Sequence, residues 1–160
     1  MQVLLPPQVW VLKRELLWVP VFGWGLALCR PIAIDRGAGR KAIGQIVEQG
    51  IERLRKGLWV IIFPEGTRVA PGQRKRYGVG GAVLAEQSGY PVLPIAHNAG
   101  EFWGRRQFIK RPGTVRLVFG PLIDTRGKSA QQINAEAEAW IEGTMARIST
   151  DISDPISRNS

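Results

Sequence analysis

Two rhythms of apolar positions alternate along the chain, short unbroken runs and stripes recurring every three or four residues. The clearest run is Leu58–Phe63, six apolar residues of which half are β-branched, stopped at once by Pro64. A run of that length bounded by a breaker predicts a strand buried on both faces. PIAID (Pro31–Asp35), PVLPIA (Pro91–Ala96) and TVRLVFG (Thr114–Gly120) predict three more strands. Between them the spacing turns helical. Ile43, Ile46, Val47, Ile51 and Leu54 form one stripe, which Gly57 ends. Ala82–Gln87 predicts a short helix, and Ser129 with Gln132 three places on is a capping-box start for a last helix. Its stripe is Ile133, Ala137, Trp140, Ile141 and Ile148. Strand and helix alternate three times, which predicts an α/β domain with a mainly parallel sheet covered by helices. One such domain is expected over residues 1–150, with a frayed tail at 151–160.

The amino-terminal third is less regular. Residues 1–13 are apolar, carry Pro6, Pro7 and Trp10, and begin without a recognisable cap, like the middle of something. The run Leu16–Leu28 has 13 residues with Pro20 inside, too short to span a bilayer, which needs about 20. Trp18, Phe22 and Trp24 follow the pair Lys13 and Arg14. Aromatics beside cations suit a membrane interface; a pair of core helices broken at Pro20 suits the same pattern.

Charge narrows the partners. The formal net charge is +9, with +12 on residues 1–128 and −3 on residues 129–160. A basic body fits nucleic acid, a lipid surface or phosphorylated substrates. The single cysteine, Cys29, excludes an internal disulfide and reads as a small apolar filler. With His97 the only histidine, a histidine metal site is remote. Glu101 could orient its imidazole, although a satisfied structural histidine is the simpler expectation.

Gly78-Val79-Gly80-Gly81 lacks both the Gly-Lys-Ser/Thr of a phosphate loop and the third glycine of a dinucleotide fold, so it reads as a turn entering a helix. Nucleic-acid binding would rest only on basic clusters near Phe102, Trp103 and Phe108, without a recognition fold, and is not expected. FPEGTR (Phe63–Arg68) is more specific. It leaves a strand at its carboxyl end, where open α/β sheets bind ligands. Gly66 permits positive φ and close backbone approach to an anion, and Arg68 offers a planar fork for phosphate or carboxylate.

With IDR (Ile34–Arg36) before it and LPIA (Leu93–Ala96) after it, this motif completes a series. The chain resembles the 1-acylglycerol-3-phosphate acyltransferases, a family of membrane-associated glycerolipid acyltransferases. KREL–LWVPVFGWG–IAIDR is similar to the family's second block, FPEGTR to its third and VLPIA to its fourth, in order. The resemblance runs from about Lys13 to the last helix. It implies an acyltransferase moving a fatty acyl group from an acyl-CoA or acyl-carrier-protein thioester to 1-acylglycerol 3-phosphate, making phosphatidate for phospholipid biosynthesis. No cofactor and no metal are implied. The protein would lie peripherally on the cytoplasmic face of the cell membrane. Arg68 would hold the acceptor phosphate, Glu65, Gly66 and Thr67 would shape its pocket, and Arg36 and Lys13 would contact phosphate or glycerol. Pro94 would lie in the acyl-donor region. The family's first block, H-x-x-x-x-D, supplies a histidine general base and its orienting aspartate. It has no counterpart in this sequence, since His97 is followed at the fifth place by Phe102. No catalytic pair is therefore assigned, and the chain reads as an amino-terminally truncated acyltransferase. The alternative is a non-catalytic module that binds anionic lipid or glycerol phosphate.

Overall fold

The computed structural model describes residues 7–67, 69–104 and 110–149, and only the backbone of Phe22 and Arg36. Arg68 and the expected frayed tail at 151–160 lie outside the described residues. Strands β1 (Gln8–Lys13), β2 (Ile32–Ile34) and β3 (Trp59–Ile61) form a parallel sheet in the order β2-β1-β3. The central strand is the one that the proline-marked start of the chain concealed. Only Pro7, just ahead of it, is described, and its carbonyl accepts the Trp59 N–H at 2.9 Å. Helix α2 (Arg40–Arg55) carries the chain from β2 across to β3, on the far side of β1.

Register sorts the side chains by parity. Val11 pairs with Ile32 and Val9 with Val60. Val9, Ile32 and Ile34 thus share a face and pack against Ile46 of α2. Gln8 pairs with Trp59 and Trp10 with Ile61, so these four share the opposite face. There Trp10 lies 5.6 Å from Phe63, ring centroid to centroid. The expectation that Leu58–Phe63 is buried on both faces is corrected. The ladder covers only Trp59–Ile61, at the sheet edge, and Phe63 is exposed.

A second sheet pairs β4 (Ile95–His97) with β5 (Leu117–Phe119), antiparallel. The strand expected over Pro91–Ala96 shrinks to β4 and one bridge from Val92 to Ile123, because Pro91 and Pro94 have no N–H to donate. Helix α3 (Gly80–Ser88) joins the two halves, packing on α2 and on α5 (Ala130–Ile148). The glycine cluster belongs to that packing: a Cβ on Gly80 would meet Ile46 at 2.7 Å and one on Gly81 would meet Ile62 at 3.2 Å. The capping box forms as expected, with the Gln132 N–H donating to Ser129 Oγ and the Ser129 N–H to Gln132 Oε1. A four-residue helix, α4 (Ala99–Phe102), occupies part of the expected polar loop.

The amino-terminal helices break where expected, between a 3-10 turn at Arg14–Trp18 and α1 (Phe22–Leu28). They are not core helices. Trp18 is 79% exposed, Trp24 70% and Leu28 86%. Cys29 is exposed as well, so it fills no core space.

Gly120 is held by rigid neighbours, and its N–H donates to the Pro94 carbonyl at 2.9 Å. A Cβ there would lie 2.7 Å from the Trp140 ring and 2.8 Å from the Pro94 ring. Gly120→Ala is expected to cost about 1–3 kcal/mol, read as a lower urea midpoint with an unchanged slope.

Candidate functional site

Parallel pairing puts the carboxyl ends of β1, β2 and β3 on one edge of the sheet. Lys13 ends β1 in register with Ile34, the last residue of β2. Asp35 follows, and its Oδ1 accepts the Gly37 N–H at 2.9 Å, fixing the 3-10 turn that begins at Arg36. Two residues beyond β3 comes the turn of FPEGTR. Its Gly66 has φ +66° and donates its N–H to the Phe63 carbonyl at 3.0 Å. Glycine is needed there for the dihedral, since a Cβ would meet nothing within 4 Å. That N–H is occupied in closing the turn. Thr67 is exposed, Glu65 half-buried, and Lys13 is half-exposed with its ammonium 2.8 Å from Glu15. An anion at this edge would compete with Glu15 for Lys13. The side chains of Arg36 and Arg68 fall outside the described residues.

Pro94 lies elsewhere. It is buried on the wall of a cavity of about 470 Å³, which opens along the outer edge of β3 and is also lined by Phe63, Pro64, α3 and α5. That volume falls in the range of small-molecule sites, roughly 300–1,000 Å³. The lining is mostly apolar. His97 lines it too, and its Nδ1 is buried and, among the described residues, has no hydrogen-bond partner. The expected satisfied histidine is thus corrected: the Glu101 carboxylate accepts from the Asn98 amide at 3.3 Å. Burial pushes the imidazole pKa below its ordinary value, leaving it neutral at pH 7.

Sequence reasoning missed two residues of this region. Tyr77 is buried, and its hydroxyl donates to Glu142 Oε1 on α5 at 3.0 Å. Burial chiefly, with the Glu142 carboxylate, pushes the phenol pKa up. The same two causes, burial first, raise the pKa of Glu65, while Lys75 opposes them. Glu142 thus faces the turn from a helix whose stripe disclosed only its apolar side.

The acyltransferase family model matches residues 1–98. The chain belongs to the acyltransferase family. The 1-acyl-sn-glycerol-3-phosphate acyltransferase of Pseudomonas aeruginosa is 52% identical over 142 residues, which are 87% of this chain and 55% of that protein. The mouse 1-acyl-sn-glycerol-3-phosphate acyltransferase alpha is 30% identical over 155 residues, 96% of this chain and 54% of the relative. The crystal structure of the 1-acyl-sn-glycerophosphate acyltransferase PlsC from Thermotoga maritima shares the fold. Its TM-score is 0.73 at 22% identity, over 96% of this chain and 58% of that one. The chain spans about half the length of the curated relatives it matches.

The raised Glu65 pKa fixes a pH dependence. A carboxyl whose folded pKa lies above its unfolded value favours the fold while protonated, and that contribution is lost as pH rises through the folded pKa. Glu65→Gln is therefore expected to raise Tm at pH 7–8, with the gain closing as pH falls below the ordinary carboxylate range. A variant that loses stability most at pH 8 would show instead that a cation holds the carboxylate.

Proposed function

We propose that the chain binds the phosphate of 1-acylglycerol 3-phosphate at the carboxyl edge of the parallel sheet. There it would serve transfer of a fatty acyl group from an acyl-CoA or acyl-carrier-protein thioester, giving phosphatidate. One observation carries this reading: the parallel register brings Lys13, the Arg36 turn and the Glu65–Thr67 turn to one edge, although up to 54 positions separate them. Arg68, next in sequence to Thr67, supplies the guanidinium fork for the phosphate. Glu65, Gly66 and Thr67 shape the turn beneath it. The apolar cavity beside Phe63 and Pro94 suits the acyl chain of the donor. The two substrates then meet at the end of β3, where the acceptor hydroxyl attacks the thioester carbonyl and the thiolate leaves.

That attack needs a base for the hydroxyl proton. His97 is a poor one, with Nδ1 closed off and the neighbouring Glu101 carboxylate bonded to Asn98. The chain by itself is therefore expected to transfer acyl groups about 10²–10⁴-fold more slowly than a general-base enzyme of its class. The same feature favours the second reading, a module that binds anionic lipid or glycerol phosphate without turnover.

The exposed aromatic and apolar residues between Leu16 and Leu28 support a place on a membrane surface, which we take to be the cytoplasmic face. Trp18, Trp24 and Leu28 are exposed, and Lys13, Arg14 and Arg30 flank them in sequence, cations suited to anionic headgroups. Among the described residues no helix is long and apolar enough to cross a membrane.

Arg68→Ala is expected to weaken lysophosphatidate binding about 10- to 100-fold, the worth of a charge-assisted contact. Equilibrium binding to lysophosphatidate micelles measures it, and unchanged affinity would contradict the acceptor site. Thioester-dependent phosphatidate formation at a full general-base rate would contradict the activity forecast. Trp18→Ala with Trp24→Ala is expected to lower partition onto phosphatidylglycerol vesicles about tenfold. Equal partition would remove this segment from the membrane contact.

A further inference from the structure

Helix α5 begins well beyond residues 1–98, which the family model matches, yet through Glu142 it bonds the segment that follows the turn after β3. Tyr77 is 4% exposed, and its hydroxyl crosses 65 sequence positions to Glu142 Oε1. Arg74 places its Nε 3.2 Å from the other carboxylate oxygen. The next residue after Tyr77, Gly78, donates its N–H to the Pro64 carbonyl at 2.8 Å. The chain that leaves the turn at Thr67 thus returns to it at Gly78, and the returning end is fastened to α5 one residue earlier.

The two contacts on Glu142 are not equal. Arg74 is largely exposed, so its ion pair is screened and weak. The Tyr77 bond is shielded and has a charged acceptor, the stronger class of hydrogen bond. Nor does Glu142 hold α5 in place, because Ile133, Thr144 and Ile148 are the buried residues that seat the helix.

We propose that Glu142 is a positioning residue for the anion-binding turn, acting through Tyr77 to hold the segment up to Gly78 against Pro64. Helix α5 thereby becomes part of the acceptor site. The proposal rests on the reading above for the location of the anion, and on the hydrogen bonds alone for the brace.

The test pairs amide exchange with binding of sn-glycerol 3-phosphate, on the whole chain. Tyr77→Phe and Glu142→Ala are each expected to speed exchange at the bonded amides of Gly66 and Gly78 about tenfold, with α2 amides as slow as in the parent. The double variant is expected to match Glu142→Ala, which removes the Tyr77 bond together with the weak Arg74 ion pair. Glu142→Gln keeps an acceptor for Tyr77 and is expected to restore slow exchange. Affinity for sn-glycerol 3-phosphate is expected to fall several-fold in the two loosened variants and recover in Glu142→Gln. Unchanged exchange, additive effects, or a loosened loop with unchanged affinity would overturn the proposal. If the parent binds sn-glycerol 3-phosphate but not lysophosphatidate, the acceptor reading falls, and the same comparison still decides the brace.

Discussion

The parallel register of β1 with both its neighbours is the constraint on which the rest depends. It places Val9, Ile32 and Ile34 on one face, against Ile46 and Leu84. A slip of one residue would turn that set away from α2 and expose it. The same register decides where the three strands end. Lys13 lies beside Ile34, and Trp10 beside Ile61. The connections leaving the sheet therefore start from one edge, that of β3 three residues behind those of β1 and β2. Packing of the core and gathering of the proposed site residues follow from one pairing.

Around that sheet, satisfaction of polar groups is uneven. Among the described residues, the Gln8 amide and Trp10 Nε1 lie buried without hydrogen-bond partners on the face away from α2, and His97 Nδ1 does so at the cavity. Each such group costs about 1–3 kcal/mol if nothing meets it. By contrast, Asn98, one residue on, is nearly fully buried and bonded to Glu101, Ile148 and Arg116. Conflicts between local and global requirements gather at functional places. Here Trp10 Nε1 lies beside Phe63 and His97 Nδ1 lines the cavity with Pro94, whereas the Gln8 amide lies at the amino end of β1 and a fourth such group, Arg53 Nε, on α2.

Much of this was legible in the sequence because it follows from pattern. The α2 stripe, the Ser129 box and the Gly57 stop are local signals, and each appears where its chemistry requires. The FPEGTR turn was legible too, since a proline after a β-branched run and a glycine with positive φ leave few alternatives. Strand β1 was not, because Pro6 and Pro7 precede a six-residue segment whose partners lie 21 and 51 positions away. Strands over Pro91–Ala96 and Leu58–Phe63 were read too long, since ladder length depends on neighbours that a run of apolar residues does not reveal. Glu142 was invisible for the same reason. On a helix wheel it is one more polar position, and only tertiary packing sets it against Tyr77. The exposure of Trp18 and Trp24 removes the core-helix reading, one of the two that the aromatic pattern left equal.

The central claim is that one sheet edge collects a phosphate site from three separate stretches of chain. Titration of the nitrogen-15-labelled protein with sn-glycerol 3-phosphate, followed by amide chemical shifts, tests it most directly. The account predicts saturable shifts with one common affinity at Glu15, Gly37, Gly66 and Thr67. Shifts confined to the Arg74–Arg76 cluster, or different affinities at the three stretches, would contradict it.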